Sequence, residues 1–421
     1  MPEMKDSGIE WIKEIPFDWD ISPLKYNYHL IAGATPDSSN MALWDGNVNW
    51  ITPADFKTKD IFVSEGARKL SEMGYKSCST SMVPAGSIIF SKRAPIGSVA
   101  ISTQELCTNQ GCLSLVAKNN AVNNKYYYYV LSIYDDVFNL YGSGTTFKEI
   151  SATVFGNVML PYPNRDLQNK IVAFLDSKCA EINFLLSDIQ SEIETLEEYK
   201  KSVITEAVTK GLNPDVPMKD SSVQWIGMMP EHWECIKGKY VLKYLQKPVR
   251  EDDGVITCFR DGEVTLRSNR REDGFTMSDK EIGYQGIDVG DLVVHGMDGF
   301  AGSIGISDSR GKASPVLNVL DTDMDKKYVM YYLRSMAYSD VFLALATGIR
   351  VRSCDLRWNK LAELLYPVPP LDEQIKISAH IDDTLEEANA VIAIKKKQLE
   401  TLEEYKKSVI YEYVTGKKEV V

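Results

Sequence analysis

The decapeptide TLEEYKKSVI stands at 195–204 and again at 401–410, so the chain carries a long internal duplication and its fold must be built twice. At that separation of 206 residues, Pro161, Pro163, Asp166, Gln168, Lys170, Ile171, Asp176, Glu181 and Asn183 superpose on Pro367, Pro369, Asp372, Gln374, Lys376, Ile377, Asp382, Glu387 and Asn389. A second echo, offset by 214, pairs MKDSGIEWIKEIPFDWDISPLKY at 4–26 with MKDSSVQWIGMMPEHWECIKGKY at 218–240. It superposes Trp11, Pro16 and Trp19 on Trp225, Pro230 and Trp233. The ends of each half are repeated while the middles diverge, and the second middle is eight residues shorter. A unit this long is a duplicated domain, because small-unit solenoids repeat every ~20–50 residues.

The pattern predicts an α+β chain with two strand-rich α/β domains, 1–163 and 214–369, each followed by a helical segment, 164–213 and 370–421. In the first helix Leu175, Ile182, Ile189, Leu196 and Val203 recur every seven residues, with Val172, Cys179, Leu186 and Ile193 at the second seam position. In the second, Ile381, Ala388, Leu402 and Val409 take the first position and Leu385, Ile392 and Leu399 the second, interrupted by Lys395. Gly211 followed by Pro214 supplies a stop after the first helix. About 40 residues at ~1.5 Å each give roughly 60 Å of helix. The two helices are expected to pair as an antiparallel coiled coil under a twofold relation between the halves, acting as a ruler between two heads.

Within the domains, GSIIFSKRAPIGSVAIS at 86–102 and GDLVVHGMDGFAGSIGIS at 290–307 are related and read as β-hairpins or adjacent strands, an apolar strand, a polar loop and a second strand after glycine. The aromatics of KYYYYVLS at 125–132 and KYVMYYLRS at 327–335 read as core, as do the paired tryptophans Trp11, Trp19, Trp225 and Trp233.

Several chemistries find no support. Seven cysteines without a CxxC pair and four histidines without an HExxH setting argue against a metal site. No apolar run approaches a membrane span, and the start, MPEMKDSGIEWIKEIP, lacks a signal-peptide core, so a cytoplasmic location is expected. There is no [DNS]PP[YFW] methyltransferase tetrapeptide, no Walker A loop and no nuclease carboxylate cluster, and GSGTTF at 142–147 is only a fragment of a phosphate loop. The chain reads as a binder and not an enzyme.

DSGIEWIKEIPFDW and DSSVQWIGMMPEHW, GSIIFSKRAPIGSVAI followed by TNQG at 108–111, GSGTTFKEIS at 142–151 and PPLDEQ at 369–374 together resemble the specificity subunits of Type I restriction-modification systems. The resemblance covers nearly the whole chain and rests on the order and duplication of these motifs. It implies a non-catalytic subunit whose two target-recognition domains each read one half of a split double-stranded DNA site, with the helices setting the spacer. It further implies two methyltransferase partners, which would hold S-adenosylmethionine and methylate adenine N6, and motor endonuclease subunits, which would use ATP and Mg2+. No cofactor is expected on this chain.

Charge runs against the usual basic footprint of a DNA-binding protein, because the net charge is -12 and neither head is basic. Residues 1–163 hold 13 Lys and Arg against 16 Asp and Glu, and residues 218–369 hold 20 against 22. Candidate contacts in the first domain are Lys92, Arg93, Asn109, Gln110, Thr145, Thr146 and Lys148. Arginine or lysine suits guanine N7 and O6, and an amide suits adenine N6 and N7. The alternative is that the lysines meet phosphate or solvent and that the Asn-Gln pair caps a turn. In the second domain, where HGMDGF replaces SKRAPI, the candidates are His295, Asp298, Arg350 and Arg352, with Arg260, Arg267, Arg270 and Arg271 as a second cluster. Tyr199 and Tyr405, in the repeated LEEYKK faces, are the expected aromatic anchors for a partner. A duplicated adapter that binds only protein, or an enzyme with an unfamiliar site, would show the same repeat without DNA selectivity or with turnover of its own.

Overall fold

The computed structural model describes residues 3–56, 61–93, 96–134, 137–138, 148–270, 282–344 and 356–420. Thr145, Thr146, Arg271, Arg350 and Arg352 lie outside the described residues. The chain forms two contact-defined units: Met1–Ile189 with Lys397–Val421, and Gln190–Lys396.

The kept ends of each half turn out to be a closing frame. In unit 1, Met4–Asp6 pairs antiparallel with Glu14–Pro16, and Asp20–Pro23 pairs antiparallel with Met159–Tyr162. In unit 2 the same frame is Met218–Asp220 with Met228–Pro230, and Glu234–Lys237 with Leu365–Val368. The second pair zips the start of each domain to its end, so the two sequence offsets meet across one ladder. Trp19 and Trp233 anchor the frame at 4% and 0% exposure.

Hung from the frame of unit 1 is a five-stranded sheet. Its strands are β1 (Tyr28–Ala32), β2 (Phe62–Val63), β3 (Ile88–Ser91), β4 (Val99–Ser102) and β5 (Cys112–Ala117), in the order β1-β5-β3-β4-β2. Unit 2 contributes β6 (Leu242–Tyr244), the ribbon β7 (Ile256–Cys258) and β8 (Val264–Leu266), β9 (Leu292–His295), β10 (Ile304–Ile306) and β11 (Leu317–Thr322), with a sheet order β6-β11-β9-β10. The expected hairpins are therefore β3-β4 and β9-β10, both antiparallel. The continuous apolar runs of β3 and β9 follow from burial on both faces. Ile88 and Phe90 join one core cluster while Ile89 joins another, and Leu292 and Val294 separate from Val293 in the same way. The strand period of two sorts alternate side chains between the faces.

The helices α1 (Asn124–Ser132), α2 (Arg165–Lys210), α3 (Lys326–Tyr338) and α4 (Leu371–Val414) complete the units. Tyr126, Tyr127, Tyr129, Tyr328, Tyr331 and Tyr332 are buried, as the core reading predicts. Two repeated polar clamps tie α1 and α3 to the long helices. The Gln168 side chain accepts from the Asn123 N–H at 2.7 Å and donates to the Pro163 and Ala121 carbonyls at 2.8 and 3.2 Å. Gln374 likewise accepts from the Asp325 N–H and donates to the Pro369 carbonyl. Asp176 accepts from the Tyr129 hydroxyl and Lys125, and Asp382 accepts from the Tyr331 hydroxyl and Lys327. The matched Gln and Asp of the two halves thus have one physical job, neutralising the buried amides and hydroxyls that fasten the helices.

Each unit contains an antiparallel pairing of α2 with α4. In unit 1 the rings of Phe174 and Tyr413 lie 4.2 Å apart, and Lys406 donates to Asn183 at 2.7 Å. In unit 2 Lys395, the interruption in the heptad, is ion-paired with Glu192, and Ile204 shares a cluster with Ile377 and Ile381. Seam residues Leu175, Ile182, Ile392 and Val409 are buried, and Ile189, Leu196, Val203, Leu385, Leu399 and Leu402 are half-buried. Val409, Ile410 and Val414 complete the core of unit 1, where the Tyr126 hydroxyl donates to the Val414 carbonyl. Ile204, Ala207 and Val208 play that part in unit 2, with the Tyr328 hydroxyl donating to the Val208 carbonyl.

Candidate nucleic-acid interface

Unit 1 brings the described candidates together at the open end of β3. Antiparallel pairing carries Ser91 to the end of the hairpin, where its N–H donates to the Ser98 carbonyl and its hydroxyl to the Arg93 carbonyl. The Lys92 N–H donates to the Gly111 carbonyl, which sets the 109–111 loop beside the basic pair. Both basic side chains are engaged: Glu149 accepts from Lys92 at 2.7 Å and from Arg93 at 2.8 Å. Hydrogen bonding from Lys92 leads the causes that hold the Glu149 carboxyl below the usual carboxylate range. Lys148, adjacent to that carboxylate, is exposed. The Asn109 side chain accepts from the Gly111 N–H at 2.9 Å, a turn-closing bond, and Gln110 meets the Thr35 hydroxyl. Asn109 thus realises the turn-capping alternative in the free protein.

Unit 2 gathers Arg260, Arg267, Arg270, His295 and Asp298 around one cleft of about 820 Å³, floored by Cys258, Ser303 and Leu317. That volume lies in the range of small-ligand clefts and admits a nucleobase-sized group. Gly302, at φ +93°, lets the β9-β10 hairpin approach the tip of the β7-β8 ribbon; a Cβ there would stand 2.8 Å from the Arg260 carbonyl. Acids neutralise the rim. Arg260 bonds Asp298 at 3.1 Å, while Arg270 bridges Asp261 at 2.5 Å and Glu263 at 3.0 Å and lies over the Phe259 ring. Bonding from Arg270 holds Asp261 below its ordinary range. Arg267 donates to the Thr257 hydroxyl. The His295 Nδ1 accepts from the Met297 and Asp298 amides at 3.2 and 2.9 Å, and burial pushes the imidazole below its ordinary value.

Sequence reasoning found the bases and missed their acids, Glu149, Asp261 and Glu263, as well as the buried Ser303. Glu149 directly follows Lys148, and Asp261 and Glu263 flank the ribbon turn, but which base each would meet is settled only by tertiary contact. Tyr199 and Tyr405 are about half exposed, at 51% and 48%, on the outer faces of their helices. Among the described residues no helix is long and apolar enough to cross a membrane, and no group of three His, Cys, Asp or Glu is placed to hold a metal ion.

Residues 16–195 match the family described as the Type I restriction modification DNA specificity domain. The chain is 34% identical over 166 residues to the Type I restriction enzyme MjaIX specificity subunit of Methanocaldococcus jannaschii, an alignment covering 39% of this chain and 38% of that relative. It is 22% identical over 437 residues to the putative MjaX specificity subunit of the same organism, covering 96% and 95% of the two. Among solved structures, a chain from work on complex assembly and conformational transition of the type I R-M system superposes with a TM-score of 0.70 at 12% identity, over 96% of this chain and 99% of that one. The HsdS subunit from Thermoanaerobacter tengcongensis gives 0.51 at 13%, over 96% and 98%. At these identities the structural likeness speaks for the fold.

Proposed function

Because this chain belongs to the specificity-subunit family of Type I restriction-modification systems, we propose that each of its units reads one half of a bipartite double-stranded DNA site. The observation that carries this reading is one hairpin scaffold presented twice with different chemistry at its tip. The Ser91 N–H to Ser98 carbonyl bond recurs as His295 N–H to Ser303 carbonyl, yet Lys92 and Arg93 give way to Gly296 and Met297. Loops on a fixed scaffold are where recognition changes without disturbing a core, so the two units are suited to different half-sites. In this reading α2 and α4 set the spacer, and Tyr199 and Tyr405 offer equivalent anchors to two copies of a methyltransferase subunit. The chain itself performs no catalysis. The methyltransferase partners supply S-adenosylmethionine and adenine N6 methylation, motor endonuclease subunits supply ATP and Mg2+ chemistry, and the complex works in the cytoplasm.

The ion-paired rims fit the acidic composition. Among the described residues, Lys92, Arg93, Arg260 and Arg270 are engaged by Glu149, Asp298, Asp261 and Glu263, which reduces the free cationic surface on which salt-sensitive phosphate binding depends. Binding of DNA by the chain alone is therefore weak, and enclosure by partners strengthens it. The test is co-expression with the neighbouring methyltransferase subunit followed by sequencing of host DNA for N6-methyladenine. One bipartite motif that requires both chains supports the reading. No new motif from a soluble, active partner complex would refute it in favour of a protein-only adapter.

A further inference from the structure

The cleft of unit 2 holds two polar groups that its internal bonding leaves over. His295 Nδ1 faces two backbone N–H groups, neither of which can accept, so Nδ1 carries the lone pair and the ring proton sits on Nε2. Among the described residues no acceptor meets that Nε2–H. Opposite His295 on the hairpin is Ser303, and residues directly opposite on an antiparallel pair project to the same side with Cβ atoms ~4.5–5.5 Å apart. Ser303 is 1% exposed, lines the cleft, and its hydroxyl has no hydrogen-bond partner among the described residues. A buried hydroxyl without a partner is rare enough to require a reason. The acids of the cleft, by contrast, are engaged: Asp298 by Arg260, and Asp261 by Arg270. His295 and Arg260 thus present N–H donors to the cleft, and the Ser303 hydroxyl can join them as a donor.

We propose that His295 is a specificity-determining residue of unit 2, whose Nε2–H, with the Ser303 hydroxyl beside it, donates to the N7 and O6 edge of a guanine in the half-site. The inference rests on the reading of this chain as a DNA specificity subunit and names one base within it. Guanine is the base whose major-groove edge offers two acceptors and no donor. Adenine presents a donor at N6 and cytosine a donor at N4, each of which would face the N–H groups of His295 and Arg260, which cannot accept, and thymine offers one acceptor beside a methyl group. Arg260, bound to Asp298 through one nitrogen, retains further N–H groups of the same sense. Burial keeps the imidazole below its ordinary pKa, so the single-donor form persists at neutral pH. Unit 1 carries Ser91 at the matching place, with its hydroxyl turned into the Arg93 carbonyl, so this donor pair belongs to one half-site only.

The experiment is methylome sequencing of cells co-expressing the methyltransferase subunit with wild type, His295→Ala, His295→Gln and Ser303→Ala. The wild type is expected to fix a guanine at one position of one half-site. His295→Ala should lower discrimination at that position about ten-fold, within the range of a good base contact, and leave the other half-site intact. His295→Gln should admit adenine there, since an amide both donates and accepts. Ser303→Ala should relax the same position while melting no lower than wild type, because its hydroxyl bonds nothing among the described residues; a merely structural serine would not give that combination. An unchanged motif in His295→Ala, or a uniform loss across all positions, overturns the inference while the functional reading stands. Absence of any motif with the wild-type chain instead removes that reading, and this inference with it.

Discussion

Replacing Gln168 with leucine tests whether the repeated clamp holds the recognition domain to its helix. The change keeps side-chain bulk and removes every polar atom, leaving the Asn123 N–H and the Pro163 and Ala121 carbonyls without the partner they have now. Gln168 is fully buried, so water does not replace it at the site. Each stranded group costs about 1–3 kcal/mol, and taking the lower end for three groups gives about 3 kcal/mol. For a unit of this size ~1 kcal/mol moves the melting temperature by about 2–4 °C, so a fall of roughly 6–12 °C in the unit 1 transition is expected by calorimetry. Because Asn123 caps α1, hydrogen exchange at the first turn of α1 should rise with it. Gln374→Leu breaks two such bonds in place of three and should cost less. A Gln168→Leu protein that melts within a degree of wild type, with unchanged exchange at Lys125 and Tyr126, would refute the clamp.

Three further outcomes follow from particular contacts. Gly416 sits at φ +70°, and a Cβ there would lie 2.4 Å from the Pro16 ring, whereas one on Gly211 at φ +74° would come no nearer than 3.2 Å to the Glu373 carboxylate and the Trp233 ring. A left-handed alanine costs about 1–2 kcal/mol before any overlap, so Gly416→Ala should melt lower than Gly211→Ala, and equal losses would count against the rigid contact. Acid should weaken unit 2 at two carboxyls: Arg310 holds Asp253 low, and Lys247 followed by Arg310 holds Asp288 down to about 2. Both carboxyls lie below their unfolded range, so their contribution is complete above pH ~4 and is lost as pH falls towards 2. The melting gap between wild type and Arg310→Met should therefore narrow over that interval, and a constant gap contradicts it. Inserting one heptad into each long helix adds ~10 Å at ~1.5 Å per residue, or about three base pairs at ~3.4 Å each; a methylated motif with an unchanged spacer would discard the ruler.

The duplication and the heptads were legible because they are periodic, and periodicity survives without coordinates. The tyrosines of α1 and α3 were legible as core because apolar bodies with one polar tip are satisfied by a single half-buried acceptor, as Tyr129 is by Asp176 and Tyr331 by Asp382. The basic candidates were legible by type but not by state. Lys92 and Arg93 read as free cations in sequence, yet Glu149, 56 positions from Arg93, engages both. Likewise the value of His295 depends on two amides fixing its tautomer and on a serine across the hairpin, neither of which a linear pattern encodes. Arg350 and Arg352, like Thr145 and Thr146, fall outside the described residues.

The tail of α4 inside unit 1 also bears on biosynthesis. Val409, Ile410 and Val414 belong to a cluster that otherwise comes from residues up to Cys179, while unit 2 draws its contacts from the unbroken stretch 190–396. A ribosome adding about 5–20 residues per second leaves roughly 10–45 s between translating Ile189 and Val414. Throughout that interval the nascent first unit exposes the apolar faces of Tyr126, Leu175 and Cys179, a candidate surface for chaperones, while the second unit has every residue it needs once Lys396 is made, ahead of Val414. Order of manufacture and order of completion are thus reversed, and a pause or truncation late in translation would injure the half of the molecule made first.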